Sequence, residues 1–397
     1  MKLFLVVTET VLLVEYKMVI KNGNIFTKDG RFQKGHVYIR EDRIEKLVYI
    51  QEAEEVFEGE MDAEGLYIVP GLVDIHFHGA KGYDFCEATT EAFSNLEEYQ
   101  MQYGITTVFP ATMTLDESIL QKILMKAGEY VRSEGKGVIE GITLEGPFLS
   151  EAKKGAQNRA YLKKPDVNFY RKMQKISKNL IKQVAIAPEE DENMAFITEI
   201  SKETTVSVAH STADYEMASK AFQSGANHVT HLFNGMNPFL HREPGIVGAA
   251  LDNQSVYVEL IGDGVHIHPS VVRTVFQLFG PERICMISDS LSATGMPDGE
   301  YCLGGQKVLK KGETATLEDG TLAGSVSNLY ECMKKAVHKM QIPLEQAILS
   351  CTKTPAKSLG VDDNCGSLEE NRKADILILD PDLNIKNVMK NGKIVRR

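Results

Sequence analysis

The chain has 397 residues, 43% of them apolar and 25% charged, and a net charge of −11. That is the composition of a folded globular protein, long enough for one large domain with an appendage or for two or three ordinary ones, and it excludes disordered and fibrous classes. The negative balance argues against a nucleic-acid partner, because a phosphate-backbone binder needs a basic face to release counterions.

Residues 3–14 are strongly apolar, yet Glu9 interrupts the run. The run is also shorter than the ~20 residues of a membrane span and has no small-residue cleavage site after it. It is expected to be an extra strand or an upstream extension, 1–17, with Met18 as the natural first residue and no membrane partner. From Met18 to about Ala63, short alternating runs are punctuated by Asn22-Gly23, Asp29-Gly30 and Glu41-Asp42, which read as the hairpin turns of a small antiparallel β unit. The C-terminus echoes this unit: Met389-Lys390-Asn391-Gly392-Lys393-Ile394 matches Ile20-Lys21-Asn22-Gly23-Asn24-Ile25. The two ends are therefore expected to fold together as one small β-sandwich domain from 18–66 and 365–397, with 67–364 inserted between them.

The inserted region alternates apolar β-type runs with helical patterns, the signature of βα units and a parallel sheet. Strands are expected at 67–76, 105–110, 138–145, 183–187, 204–210, 228–232, 256–261 and 283–289. Helices are expected at 90–103, 115–131, 193–202, 213–222 and 270–279. Eight such units suit an α/β fold of the TIM (β/α)8 barrel type. A doubly wound open sheet is the competing architecture, but its phosphate-cradling glycine fingerprint is absent. Six scattered cysteines without Cys-x-x-Cys pairs fit reduced thiols in a cytoplasmic protein.

In a barrel the chemistry gathers at the C-terminal strand ends. The period-2 alternation of the first strand puts His76 and His78 on one face. The third ends in Glu145, followed by the breakers Gly146 and Pro147, the fifth and sixth end in His210 and His231, and the eighth ends in Asp289. Singly, each has an ordinary reading as a strand residue, helix cap, rim histidine or turn former. Four histidines and two acids at the mouths of five strands form a set of the right kind for divalent zinc or iron.

The His-x-His pair, Leu144-Glu145-Gly146-Pro147-Phe148, Ala209-His210-Ser211, the run His231-Leu232-Phe233-Asn234-Gly235-Met236 with Arg242-Glu243-Pro244-Gly245, and Ser288-Asp289-Ser290 resemble the amidohydrolase superfamily. Within it they resemble the family of the N-acetylglucosamine-6-phosphate deacetylases, over the whole length from Met18. The resemblance implies a TIM barrel with a small β-sandwich, a homodimer, and hydrolysis of the acetamide of an N-acetylated amino-sugar 6-phosphate. It implies one or two divalent ions, zinc or iron, the principal one on Glu145, His210 and His231 and a second on His76, His78 and Glu145, with Asp289 as general base. Arg242 offers a forked donor for phosphate, in the family a contact made across the dimer interface, and Asn234 and the Gly235 backbone can approach the substrate closely. Ala156, Gln157, His266, Leu322, Ala323 and Gly324 match further substrate-contact positions, although some members carry histidine where Gln157 stands. Deacetylation of the galactosamine epimer, another amidohydrolase reaction, and a non-catalytic scaffold remain open. His36, His228, His241, His268, His338 and the 15 methionines are read as surface or packing residues.

Overall fold

The computed structural model describes residues 18–49 and 60–396, so the expected extension 1–17 lies outside the described residues. Strands β1 (Met18–Phe26), β2 (Phe32–Arg40) and β3 (Arg43–Tyr49) form an antiparallel meander, and β4 (Glu60–Asp62) and β5 (Tyr67–Pro70) run parallel to β1. Asp29-Gly30 and Glu41-Asp42 are turns between strands as expected, but Asn22-Gly23 is not. It lies inside β1 as a bulge: the register shifts between Ile20 and Gly23, and Asn22, at φ +61, donates its backbone N–H to His36 Nδ1 at 3.2 Å. Asparagine tolerates the left-handed region in a bulge as readily as in a turn, so the dipeptide alone did not distinguish them.

The run expected as one strand over 67–76 divides at Gly71. The Gly71 N–H bonds Asp375 O at 2.9 Å, within the sheet of the chain ends, whereas the next N–H, of Leu72, bonds Gly104 O at 2.9 Å in a second sheet. A Cβ at position 71 would lie 2.1 Å from Thr106 Oγ1, so only glycine passes between the two sheets. Strand β6 (Leu72–Phe77) opens the second sheet, and a short ribbon of β7 (Gly79–Ala80) and β8 (Tyr83–Asp84) follows it. Strand β6 pairs in parallel with β9 (Ile105–Pro110), and parallel bridges at Val108–Ile139 and Ala111–Thr143 lead on to β10 (Ile142–Leu144). From there β11 (Ile181–Ile186), β12 (Thr205–Val208), β13 (His228–Val229), β14 (Tyr257–Ile261) and β15 (Ile284–Ile287) add in sequence order, all parallel. The sheet curls until its last strand meets its first: Asp289 N–H bonds His76 O at 2.9 Å and His78 N–H bonds Ser290 O at 2.7 Å. Each of the eight expected runs overlaps one of these strands, and helices such as 90–102, 117–133, 215–223 and 269–279 connect them.

One feature was not read from the sequence as a unit. An antiparallel sheet of β16 (Gly299–Leu303), β17 (Gln306–Lys311), β18 (Thr314–Thr316) and β19 (Leu322–Gly324) follows β15. The last strands, β20 (Ile376–Leu379), β21 (Ile385–Lys390) and β22 (Lys393–Arg396), join the first sheet through the antiparallel pair β20–β5. Here Asn391-Gly392, with φ +49 and +70, is a true hairpin turn between β21 and β22. All six cysteines are free thiols, and among the described residues no helix is long and apolar enough to cross a membrane.

Lys390 ties the two sheets together. Its Nζ donates to Asp375 Oδ2 at 2.7 Å and to Thr106 O, on β9, at 2.9 Å, with both side chains buried. Breaking such a pair strands a buried charge, so Lys390→Met is expected to destabilise the protein by about 3–5 kcal/mol. Chemical denaturation checks this; a loss below about 1 kcal/mol, the scale of an exposed pair, would mean that the pair does not fasten the sheets.

Candidate metal centre and active site

Strand β6 is buried along its whole length, so the face carrying Asp74, His76 and His78 meets other polar groups rather than water. Asp74, deepest on it, accepts Ser288 Oγ–H at 2.5 Å, and burial raises its carboxyl to about 7. Glu145 follows β10, and the chain must turn at once to present it. Gly146, at φ +75, makes that turn in a space where a Cβ would lie 2.1 Å from Thr114 Oγ1. His210, His231 and Asp289 also lie just past their strands, at φ +43, +28 and +47. Non-glycine residues held in this region carry strain of about 1–3 kcal/mol each, which clusters at functional sites.

Glu145 is the hinge of the cluster. Its Oε1 lies 3.0 Å from His210 Nε2 and 3.3 Å from His231 Nε2, and these two nitrogens are 3.2 Å apart. Its Oε2 lies 3.3 Å from His78 Nε2 and 3.7 Å from His76 Nε2, and Asp289 Oδ1 closes this second group at 3.5 Å from His78 and 3.9 Å from His76. An ion bound at about 2.1 Å by tetrahedral nitrogen and oxygen donors sets those donors roughly 3.4 Å apart. Both groups fit that spacing, and His76 Nε2 is buried without a hydrogen-bond partner. The residues present therefore suit one divalent ion on each side of the Glu145 carboxylate.

The electrostatics agree. Burial pushes the Glu145 carboxyl up, but His76, His210 and His231 more than offset it and hold it well below the usual range. Burial also pushes Asp289 up, and the bond to His78 with the charges of His76, His78 and His231 brings it below its ordinary value. His78, lowered by burial and raised by its bonds to Asp289 and Glu145, is held at about 9, and His76 is also raised, by Glu259 and Glu145. Both acids are held ionised beside histidine nitrogens, a donor set of the kind a divalent ion takes.

The cluster floors a pocket of about 260 Å³. Of the residues singled out from the sequence, His78, Glu145, Ala156, Gln157, His210, His231, Asn234, Gly235, His266, Asp289, Leu322, Ala323 and Gly324 line it, and His76 lies beneath. Gly235 lets the chain cross His210, where a Cβ would come within 2.9 Å of Nδ1. Gln157 donates Nε2–H to Glu145 Oε2 at 2.8 Å and accepts the Thr114 N–H at 2.7 Å. The His266 and Asp263 side chains meet through Nδ1 and Oδ2 at 2.7 Å.

Arg242 is not brought to this pocket. It lines a separate groove with Tyr215, Asn237, Leu240 and Glu243, and its Nη1 meets His241. Sequence reasoning missed the wall formed by Met113, Leu303 and Thr321, which comes largely from the β16–β19 sheet. That sheet is moored over the site by Gly304 N–H to Asp84 Oδ2 at 2.9 Å and by Gln306 to Ala156 O. Glu259, fully buried behind His76, was also missed; its only signal was an acid inside the apolar run Val256–Ile261.

The amidohydrolase family model matches residues 67–395. The N-acetylglucosamine-6-phosphate deacetylase of Bacillus subtilis is 33% identical over 95% of this chain and 96% of that protein. The N-acetylgalactosamine-6-phosphate deacetylase of Escherichia coli O157:H7 is 30% identical over 84% of this chain and 89% of that protein. Among solved structures, a variant of N-acetyl-D-glucosamine-6-phosphate deacetylase from Mycobacterium smegmatis in complex with N-acetyl-D-glucosamine-6-phosphate superposes with a TM-score of 0.90, at 30% identity, over 96% of this chain and 99% of that one.

Proposed function

The chain belongs to the amidohydrolase family, and from that premise we propose that it hydrolyses the acetamide of N-acetyl-D-glucosamine 6-phosphate to acetate and glucosamine 6-phosphate. The observation that carries this reading is the Glu145 carboxylate between two histidine groups, with ionised Asp289 facing the same pocket. We read the curled sheet as a TIM barrel at 67–364 and the sheet of the chain ends, 18–66 with 365–397, as a β-sandwich that also takes up strand β5. The protein is read as a cytoplasmic homodimer.

In this mechanism Glu145, His210 and His231 would hold the principal ion, and His76, His78 and Glu145 a second, zinc or iron suiting the imidazole and carboxylate donors. A divalent ion bound there would lower the pKa of a water in the pocket to about 7 and would act as a Lewis acid toward the acyl oxygen. Asp289 takes one proton of the attacking water and returns it to the nitrogen as the C–N bond breaks, so that the amine leaves neutral and the acyl group departs as acetic acid, whose remaining proton is lost to solvent to give acetate. His266, held through Nδ1 by Asp263, keeps its Nε2 for the substrate. Asn234 and the Gly235 backbone contact the sugar phosphate beside Ala156, Gln157 and the 322–324 strand.

Arg242 stands in its own groove, which accords with a role in the partner's site, where its guanidinium would grip the 6-phosphate. The similarity to the N-acetylgalactosamine-6-phosphate deacetylase favours one second reading, the C4 epimer as substrate. Amine release from both epimers, with and without a chelator, tests the proposal. Turnover of the glucosamine compound that chelation abolishes and zinc restores is expected; activity indifferent to chelation, or confined to the galactosamine epimer, would refute it. In the same assay Arg242→Ala is expected to raise KM about tenfold or more, the loss of a charge-assisted phosphate contact worth about 1.5–3 kcal/mol, with kcat little changed. An equal effect on an unphosphorylated sugar would remove Arg242 from phosphate binding.

A further inference from the structure

Glu259 lies near the middle of β14 with a fully buried side chain. A carboxylate so placed is destabilising unless its oxygens are satisfied. Here Oε2 meets His76 Nδ1 at 3.0 Å and accepts the backbone N–H of His231 at 3.2 Å, while Oε1 accepts Gln183 Nε2–H at 2.7 Å. An ionised carboxylate can only accept, so the proton between Glu259 and His76 belongs to Nδ1, which leaves Nε2 as the nitrogen whose lone pair an ion would take. That Nε2 is the buried atom without a hydrogen-bond partner, 3.7 Å from Glu145 Oε2 and 3.9 Å from Asp289 Oδ1.

We propose that Glu259 is a positioning residue for the second ion: by accepting the Nδ1 proton of His76 it fixes the tautomer and ring orientation that direct Nε2 toward Glu145, His78 and Asp289. The inference rests on the two-ion reading above. A carboxylate behind a ligating histidine also raises its basicity, and loss of such a partner typically weakens metal binding 10- to 100-fold. Glu259 touches the first ion's histidines only through the His231 backbone, so the one ligating ring it contacts directly is the second ion's His76.

The test is a titration of the metal-free full-length protein with Zn²⁺ alone against a competing chelating dye. E259Q is isosteric. Its amide oxygen can remain on His76 and His231 while Gln183, whose Oε1 has no partner, turns to accept the new N–H, so the fold is kept and the charge is lost. Wild-type protein is expected to bind two equivalents, and E259Q to weaken one about tenfold or more and leave the other unchanged. In a His76→Asn background E259Q should cause no further loss, an outcome that a general destabilisation would not give. Weakening of both equivalents alike, weakening of neither, or a further loss in the His76→Asn background would overturn the assignment. If E259Q does not fold, Glu259→Asp, which keeps the charge but stops a methylene short of His76, must give the same selective loss. A single equivalent in the wild type would overturn the two-ion reading and this assignment with it, whereas two equivalents that E259Q leaves intact would overturn this assignment alone.

Discussion

Asp289→Asn is expected to lower kcat for N-acetyl-D-glucosamine 6-phosphate by roughly a hundred- to ten-thousand-fold, the usual worth of a positioned general acid–base, with little change in KM or in metal content. The amide keeps the size of the side chain and an oxygen beside His78, so the pocket and its ligands stay in place. What is lost is the ability to take a proton. The direction of the Asp289 shift sets the pH behaviour: a carboxyl held below its ordinary value is ionised everywhere above that value, so its base form is fully present across the neutral range. The variant's deficit should therefore be the same at about pH 6 and about pH 8, because the wild-type carboxylate does not titrate between them. Steady-state rates at both pH values with elemental metal analysis decide it. Near-normal turnover with full metal would remove Asp289 from the role, and a deficit that vanishes at one pH would show that another group moves the proton.

How much of this was legible in the sequence follows from how local each signal is. Strand β6 announced itself because period-2 alternation is a property of the chain alone, and His76 and His78 inherit their common face from it. Glu145, His210, His231 and Asp289 were legible once the barrel was assumed, because that fold specifies where strand ends converge. Non-local facts were not legible. Asn-Gly at 22–23 and at 391–392 is the same dipeptide, yet one is a bulge and the other a turn, because the pairing partner and not the dipeptide decides. Gly71 reads as a glycine within a strand, and only the approach of Thr106 from another strand shows that it divides two sheets. Arg242 sits four residues from Pro238, a wall of the neighbouring apolar groove, and no pattern in the chain says that it turns away from the pocket. Glu259 carried a weak cue, an acid among apolar residues, but such an acid is interpretable only when its partners, from three other strands or strand ends, are known.

The largest effect on the centre itself is expected from Glu145→Gln, and the surrounding hydrogen bonds fix which half fails first. The Thr114 N–H donates into Gln157 Oε1 at 2.7 Å, so the Gln157 amide nitrogen has to face residue 145 on its Oε2 side. A glutamine at 145 avoids placing two N–H groups against each other only by keeping its own oxygen on that side. Its new NH2 then points at His210 Nε2 and His231 Nε2, 3.0 and 3.3 Å from the oxygen it replaces. Those nitrogens would accept hydrogen bonds with the lone pairs that an ion needs, and the negative charge that attracts the ion is gone. The principal ion should be lost, the second retained weakly through His76 and His78, and turnover should fall by at least the factor expected for Asp289→Asn. Metal content near one equivalent or less in a variant that still melts cooperatively is the expected result. The complementary change, His76→Gln with His78→Asn, should remove the other ion and leave measurable turnover. If Glu145→Gln kept the full metal content while the paired histidine changes emptied the centre, the weight of the site would move back to the histidine pair at the end of β6.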